Sequence, residues 1–209
     1  MARLAADGAA GRAEAIRVLR AGGIVAIPTD TVYGLAVALD APDGVERLFE
    51  AKGRPAERAI AVLCADAGQA AELAALTPAA RALGAAFWPG GLTLVVAQRP
   101  DRPLPDALTG GRPTIGVRVP DHAAPRAIAA ALGPLPTTSA NPSGAPEARD
   151  AAAIEAAFGD RIDLVLDGGP APGGRPSTVV DLSGPEPRVL REGAIALEEV
   201  ESVLRDMGR

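Results

Sequence analysis

One cysteine, one histidine and an aromatic content of 2% leave this 209-residue chain few of the usual instruments of catalysis and recognition. A lone thiol, Cys64, cannot make an intramolecular disulfide, which excludes a disulfide-stapled fold and fits a reducing cytoplasm. Cys64 closes an apolar run, so the sequence predicts a buried, inert thiol. His122 has no partner at zinc-ligand spacing and follows Asp121, so it is expected to cap a helix or stand in solvent. The scarcity of aromatics denies the chain a base-stacking platform. A net charge of -5 argues against a general nucleic-acid coat. No apolar run is long enough to span a bilayer, and Asp7, Arg12 and Glu14 come too early for a signal peptide. No serine occupies a nucleophile elbow. Residues 169–176 imitate a phosphate-binding loop but put Arg175 where lysine belongs and Pro176 where a hydroxyl belongs, so they read as a flexible loop. Asp30, Asp163 and Asp167 are candidate carboxylate bases with no visible partner.

What the chain does have is alternation. Hydrophobic residues make up 48% and charged residues 22%, ordinary for a globular protein able to bury one substantial core. Helical and strand patterns alternate over residues 12–205, with no repeat and no linker, which predicts one α/β domain with a mixed sheet. Ala13, Ile16 and Leu19 share a helical face that stops at Gly22-Gly23. Residues 24–27 read as a buried strand, 29–34 as a polar turn and 35–39 as a strand. Asp43 and Glu46 have the spacing of a capping box for a helix that closes at Gly53. Strands are expected at 60–64, 92–98, 114–119 and 162–166. Helices are expected to open at Asp66, at Thr77-Pro78, near residue 122 and at Asp150. Residues 99–113 read as a surface loop. Residues 177–182 and 188–190 flank Gly184-Pro185 and predict a hairpin. Leu197, Val200, Val203 and Leu204 predict a closing amphipathic helix.

Two polar runs carry the chemistry. The first is Lys52-Gly53-Arg54-Pro55, followed by Arg58. A single lysine there would complement a helix C-terminus, but three cations in seven residues, pinned by Gly53 and Pro55, predict an anion-binding loop. Arginine's fork suits phosphate oxygens, and lysine adds a point charge. The second run is Thr137-Thr138-Ser139-Ala140-Asn141-Pro142-Ser143-Gly144. Turn chemistry accounts for its second half. Its first half lies at a strand end, where α/β sheets bind ligands. Thr29, Asp30 and Thr31 repeat this placement. So do Ser177 and Arg191, and Thr114 and Arg118 share one strand face. A pocket of cations and hydroxyls without a dedicated nucleophile suits transfer at a nucleotide phosphate, where the protein positions groups and neutralises charge.

These runs resemble a known family. Pro28-Thr29-Asp30-Thr31-Val32-Tyr33-Gly34-Leu35 looks like the signature of the YrdC family, the threonylcarbamoyl-AMP synthases. Lys52-Gly53-Arg54-Pro55 matches its Lys-x-Arg element, and Ser139-Ala140-Asn141 its Ser-x-Asn element. Phe87-Trp88-Pro89-Gly90 and the stretches 114–120, 177–181 and 191–195 follow in the family's order. The resemblance implies a YrdC-like twisted mixed β-sheet flanked by helices around a concave pocket, in the short form without an extra C-terminal domain. It implies a cytoplasmic nucleotidyltransferase that forms L-threonylcarbamoyl adenylate and pyrophosphate from L-threonine, bicarbonate or CO2, and ATP, with Mg2+ accompanying ATP. The product would pass to the tRNA threonylcarbamoyl-transfer machinery, with weak tRNA contact and no membrane.

By the same resemblance, Lys52 and Arg54 would be catalytic. Lys52, Arg54, Arg58, Thr114, Ser139, Asn141 and Arg191 would bind ATP, and Thr31, Arg118, Thr137 and Ser177 would hold threonine. No residue is assigned to a metal. The chain departs from the pattern at one place. Many members end the next strand Pro-Leu-x-Val-His, whereas this chain reads Ala59-Ile60-Ala61-Val62-Leu63. Leu63 donates no hydrogen bond, so any threonine contact there is expected to be apolar. Two other readings stand beside this one. An RNA-binding or RNA-maturation module of the same fold is disfavoured by the acidic charge. The related domain of hydrogenase-maturation carbamoyltransferases would bring zinc fingers that this chain does not carry.

Overall fold

The computed structural model describes residues 2–53, 59–172 and 174–207. Ten strands form one sheet: β1 (Arg3–Ala6), β2 (Val25–Ile27), β3 (Gly34–Ala36), β4 (Ala61–Leu63), β5 (Leu92–Ala97), β6 (Thr114–Arg118), β7 (Leu135–Ser139), β8 (Leu164–Asp167), β9 (Thr178–Asp181) and β10 (Arg188–Arg191). Eight α-helices connect and flank them: α1 (Ala9–Arg20), α2 (Gly44–Lys52), α3 (Ala67–Leu73), α4 (Pro78–Phe87), α5 (Asp106–Thr109), α6 (Ala123–Leu132), α7 (Ala151–Phe158) and α8 (Leu197–Asp206). The strand order is β1-β8-β2-β3-β7-β4-β6-β5-β9-β10. Parallel and antiparallel pairs are mixed, as the alternating pattern predicted: β4 runs parallel to β6, for example, and β5 antiparallel to it.

Local chemistry explains most element ends. Asp66, Thr77 and Asp150 each accept a hydrogen bond from a backbone N–H inside the helix they precede, the N-cap arrangement. His122 does the same for α6 through Nδ1, in line with the capping role expected of it. Gly53 ends α2 in the left-handed region at φ 61°, where a Cβ would be strained. The hairpin expected near Gly184-Pro185 is the antiparallel β9–β10 pair.

Five local expectations are corrected. Asp43 caps nothing through its side chain and sits at φ 52°; a short polar residue tolerates that backbone, which turns the chain into α2. The face α1 buries is Gly11, Ala15, Val18 and Leu19, with Ala13 exposed. The loop at 99–113 contains α5, which buries Leu108 and Thr109. The strand expected at 35–39 stops at Ala36. Finally, β1 was not anticipated: its four residues are mostly exposed, so no hydrophobic period marks it, and it is held by parallel pairing with β8.

The period-2 alternation of the strands divides the sheet's two faces. Near β2 and β8, both faces are covered. Val25, Ile27, Leu164 and Leu166 pack with Ala15, Val18 and Leu19 of α1 and Ile128 of α6. Ala26 and Val165 join the other cluster, with Leu48 and Phe49 of α2 and Ile154 and Phe158 of α7. Across β4, β6, β5 and β9 only one face is covered: Val62, Ile115, Val117, Leu92, Leu94, Val96 and Val180 enter the core. Their alternating neighbours face a cavity.

Candidate functional site

The uncovered face of β4, β6, β5 and β9 forms the floor of a cavity of about 840 Å³, within the usual range for small-molecule sites. Strand register arranges the floor in rows. Ala61 pairs with Gly116, Gly116 with Val95, and Val95 with Asp181. One step along, Leu63 pairs with Arg118 and Thr93 with Val179. All of these residues line the cavity. The β2–β3 connection supplies Thr29, Thr31 and Val32, the strand β7 supplies Thr137, Thr138 and Ser139, and the β9–β10 hairpin supplies Ser177, Leu190 and Arg191.

Arg118 is the centre of the inner wall. Its Nη2 donates to Asp30 at 2.7 Å, its Nη1 to the Thr31 hydroxyl at 2.9 Å, and its Nε to the Gly90 carbonyl at 2.9 Å. The Asp30 pair is buried, with side-chain exposures of 7% and 16%. Asp30, a candidate base in the sequence, therefore has a partner and serves as a counter-ion. Gly90 belongs to the Phe87-Trp88-Pro89-Gly90 motif, whose backbone is tied to Val119 by Gly90 N–H. That motif thus orients the guanidinium. Burial lowers the Arg118 pKa, Asp30 opposes this, and the charge of Arg191 lowers it further. Arg191 is itself lowered by burial and supported by Glu147. Two arginines that disfavour one another make an anion in this cavity favourable. Three of the five guanidinium N–H donors are used in the contacts above, which leaves one on each terminal nitrogen of Arg118 for a ligand.

Lys52, the sole lysine of the chain, ends α2 and is buried. Its Nζ donates to the Ser139 carbonyl and lies 3.4 Å from the side chains of Thr138, Ser139 and Asn141. Asn141 accepts from the Ser139 hydroxyl at 2.6 Å and donates to the Pro142 and Ala145 carbonyls. Lys52 and Asn141 stand behind the cavity wall and hold the second half of the hydroxyl run against it. The first half is β7 itself rather than a turn after a strand: Thr137, Thr138 and Ser139 pair with Ala36, Leu35 and Gly34. Alanine-length packing between these strands explains Gly34, where an added Cβ would lie 2.6 Å from Thr137 Cγ2.

The expected site residues converge. Thr31, Thr114, Arg118, Thr137, Ser139, Ser177 and Arg191 line the cavity, and Lys52 and Asn141 back it. Arg191 donates from Nε and Nη2 to the Ser177 carbonyl at 3.0 and 2.8 Å. Arg54 and Arg58 lie outside the described residues. Asp163 and Asp167 are elsewhere: Asp163 accepts from the Ile24 N–H at 2.8 Å and Asp167 from the Gly169 N–H at 2.9 Å, both holding backbone. The loop after β8 is anchored by Tyr33, whose hydroxyl donates to the Gly169 carbonyl at 2.7 Å and accepts from Gly168 N–H at 3.0 Å.

Sequence reasoning missed Thr93, Gly116 and Arg112 on the cavity wall. Thr93 and Gly116 left a signal, since each interrupts an apolar strand on the face opposite its core residues. Arg112 left none, because only the fold brings the 110–113 turn to the rim. Leu63, 4% exposed, stands beside Arg118 as an apolar part of the wall.

Fold and site together define an α/β protein with an anion-accepting small-molecule cavity on the open half of a mixed sheet. Residues 17–193 match the Sua5_yciO_yrdC family, described as telomere recombination. The chain belongs to that family. It is 38% identical over 194 residues to the threonylcarbamoyl-AMP synthase of Bacillus subtilis, covering 92% of this chain and 56% of that protein. It is 39% identical over 173 residues to the threonylcarbamoyl-AMP synthase of Pseudomonas aeruginosa, covering 80% of this chain and 90% of that one. Among solved structures, P. abyssi Sua5 complexed with L-threonine superposes with a TM-score of 0.89 at 36% identity, covering 98% of this chain and 61% of that one. The chain spans little more than half the length of the Bacillus and Pyrococcus relatives. The mixed sheet around a concave pocket that the motifs implied is the fold observed. Among the described residues no helix is long and apolar enough to cross a membrane.

Proposed function

We propose that this protein is a threonylcarbamoyl-AMP synthase, a cytoplasmic nucleotidyltransferase that joins L-threonine, bicarbonate or CO2, and ATP. The observation that carries the reading is the shape of one continuous cavity. It has a buried arginine with unspent N–H donors at its inner wall and a hydroxyl wall backed by Lys52 along its side. An amino-acid carboxylate suits the first, and phosphate oxygens suit the second. The relatives named as synthases, and the structure of one relative with L-threonine, support the same assignment.

In this reading Arg118, Thr31, Thr137 and Ser177 hold threonine, with Leu63 against its methyl group. Lys52, Thr114, Ser139, Asn141 and Arg191, with Arg54 and Arg58, serve ATP. The amine attacks the carbon of bicarbonate or CO2 and a C–N bond forms; from bicarbonate, hydroxide leaves with an amine proton as water, and from CO2 the amine proton alone is lost, giving a carbamate. A carbamate oxygen then attacks the α-phosphorus, the bond to the β-phosphate breaks, and pyrophosphate departs. Both partners in the second step are anions. The chain contributes fixed cations that lessen their repulsion and walls that hold them in line. Mg2+ accompanying the triphosphate would supply further charge neutralisation. The product would go to the machinery that transfers threonylcarbamoyl to tRNA. A concave cavity of this size on an acidic protein favours small ligands over an RNA surface, with any tRNA contact weak.

Incubation of the protein with Mg-ATP, bicarbonate and labelled threonine tests this. Pyrophosphate and a labile threonylcarbamoyl adenylate are expected in equal amounts. Adenylate with a different amino acid alone would overturn the substrate, and gel-shift binding of tRNA with no adenylate from any amino acid would overturn the reaction.

A further inference from the structure

Thr93 is a buried polar residue of the inner wall that the assignments above leave without a role. It stands in β5 on the cavity side, while Leu92 and Leu94 on either side of it enter the core. Only 4% of it is exposed. Leu94 pairs with Val117 across the antiparallel strands, so the next residues along, Thr93 and Arg118, are neighbours. On its other side the Thr93 hydroxyl lies 2.8 Å from the Ser177 hydroxyl. Ser177 Oγ in turn receives an N–H from Arg191 Nη2 at 3.2 Å.

Proton counting leaves this cluster one hydroxyl proton to spare. Arginine can only donate, so Ser177 Oγ is an acceptor towards Arg191. The two hydroxyls carry two protons, and one alone can lie between their oxygens. Among the described residues neither hydroxyl has another side-chain or backbone partner for the second proton. A buried hydroxyl proton without a protein acceptor has only the cavity to turn to. Ser177 Oγ has lone pairs enough to accept from both Arg191 and Thr93, but the head-to-tail order Arg191 to Ser177 to Thr93 is the one in which each bond polarises the next. The terminal O–H then belongs to Thr93, beside the unspent N–H donors of Arg118. A hydroxyl and guanidinium N–H groups at adjacent positions of one cavity wall suit a carboxylate.

Building on the threonine-binding reading, we infer that Thr93 is a further binding residue, donating a hydrogen bond to the amino-acid carboxylate that Arg118 pairs with. It also links the rim arginine, Arg191, to the inner wall through Ser177. A hydrogen bond to a charged group contributes enough to make its loss visible as about a tenfold or larger change in affinity.

The test uses Thr93→Val, which keeps the branched shape and removes the hydroxyl, and Thr93→Ser, which keeps the hydroxyl. Steady-state kinetics on the whole chain should show the valine variant with KM for L-threonine raised about tenfold or more. KM for ATP and the thermal midpoint should stay close to wild type, and the serine variant should recover most of the loss. The inhibition constant of L-threoninamide, which lacks the carboxylate charge, should change less than KM for threonine between wild type and the valine variant. An unchanged KM for threonine in Thr93→Val would overturn the inference. So would a serine variant as impaired as the valine one, since that loss would come from packing. Were Thr93→Val to fail to fold, the serine variant and the threoninamide comparison in Thr93→Ala would still decide it. Wild-type protein that makes no adenylate from threonine would instead overturn the functional reading on which this rests.

Discussion

The inner wall and the hairpin rim of the cavity are built by opposite means. At the inner wall, Arg118 is buried and held on three sides by Asp30, Thr31 and Gly90. At the rim, Arg188, Val189 and Leu190 of β10 are exposed, and a register shift between Val189 and Arg191 lies where Leu190 reaches the cavity edge. Bulges at sheet edges re-aim side chains in this way. The inner wall is pre-organised: its donors are aimed before a ligand arrives, and no reorganisation is needed to meet charge. The rim can admit and release. The difference implies that removing the buried Arg118 will cost both activity and stability, while trimming the exposed Leu190 at the rim will cost a little activity alone.

The largest effect tests the wall directly. Arg118→Ala should lower kcat/KM for threonine by about 1000-fold and lower the unfolding free energy by about 3 kcal/mol, because Asp30 is left buried without its partner; denaturant titration checks the second part. Loss of activity with full stability would break the contrast between wall and rim. Lys52→Ala should reduce turnover about 100-fold and, because the Ser139 carbonyl loses one of its donors while keeping the Asn141 N–H at 3.0 Å, destabilise by about 1 kcal/mol. A thermal midpoint equal to wild type would show that the lysine's contacts with the hydroxyl run are dispensable to the fold.

Gly116→Val separates space from strength. A Cβ at Gly116 would meet nothing closer than 3.5 Å, and a branched residue suits a strand interior. The variant should keep or gain stability while KM for both substrates rises about tenfold, the cost of filling the cavity floor. Cys64 probes the wall from behind, since its N–H donates to the Arg118 carbonyl at 2.8 Å. Burial pushes its thiol up from 9.0 to about 12. Above pH 9 the unfolded chain loses this proton and the folded one keeps it, so the unfolded state binds fewer protons and stability falls as pH rises towards 12. Urea midpoints measured across that range should decline, and Cys64→Ala should decline less. The smallest effect belongs to the rim: Leu190→Ala should raise KM for ATP about twofold and leave the thermal midpoint unchanged, as for other exposed substitutions.

Much of this protein was legible in its residues because the relevant signals are local. Asp66, Thr77 and Asp150 announced helices through cap chemistry, and the hairpin announced itself through Gly184-Pro185. Thr31, Arg118, Ser139 and Ser177 could be picked out because each is polar beside an apolar strand. Other features left no local trace. β1 has no hydrophobic face, and its pairing with β8 spans most of the chain. Asp30 looked unpaired because its partner, Arg118, is 88 residues away. Thr93 does leave a trace, a polar residue opposite its core neighbours, but nothing local says that it meets Ser177.

By itself, the sequence determined the α/β alternation, the helix caps, the family motifs and the chemical character of the site. These follow from spacing and residue type, which act over a few positions. The tertiary structure alone decided that one half of the sheet stays uncovered and that Lys52 and Asn141 stand behind the wall. It alone decided that a row of Leu63, Arg118 and Thr93 crosses the cavity floor. Strand order and register set those facts, and they arise from contacts between segments far apart in the chain, where burial and hydrogen-bond satisfaction outweigh any local preference.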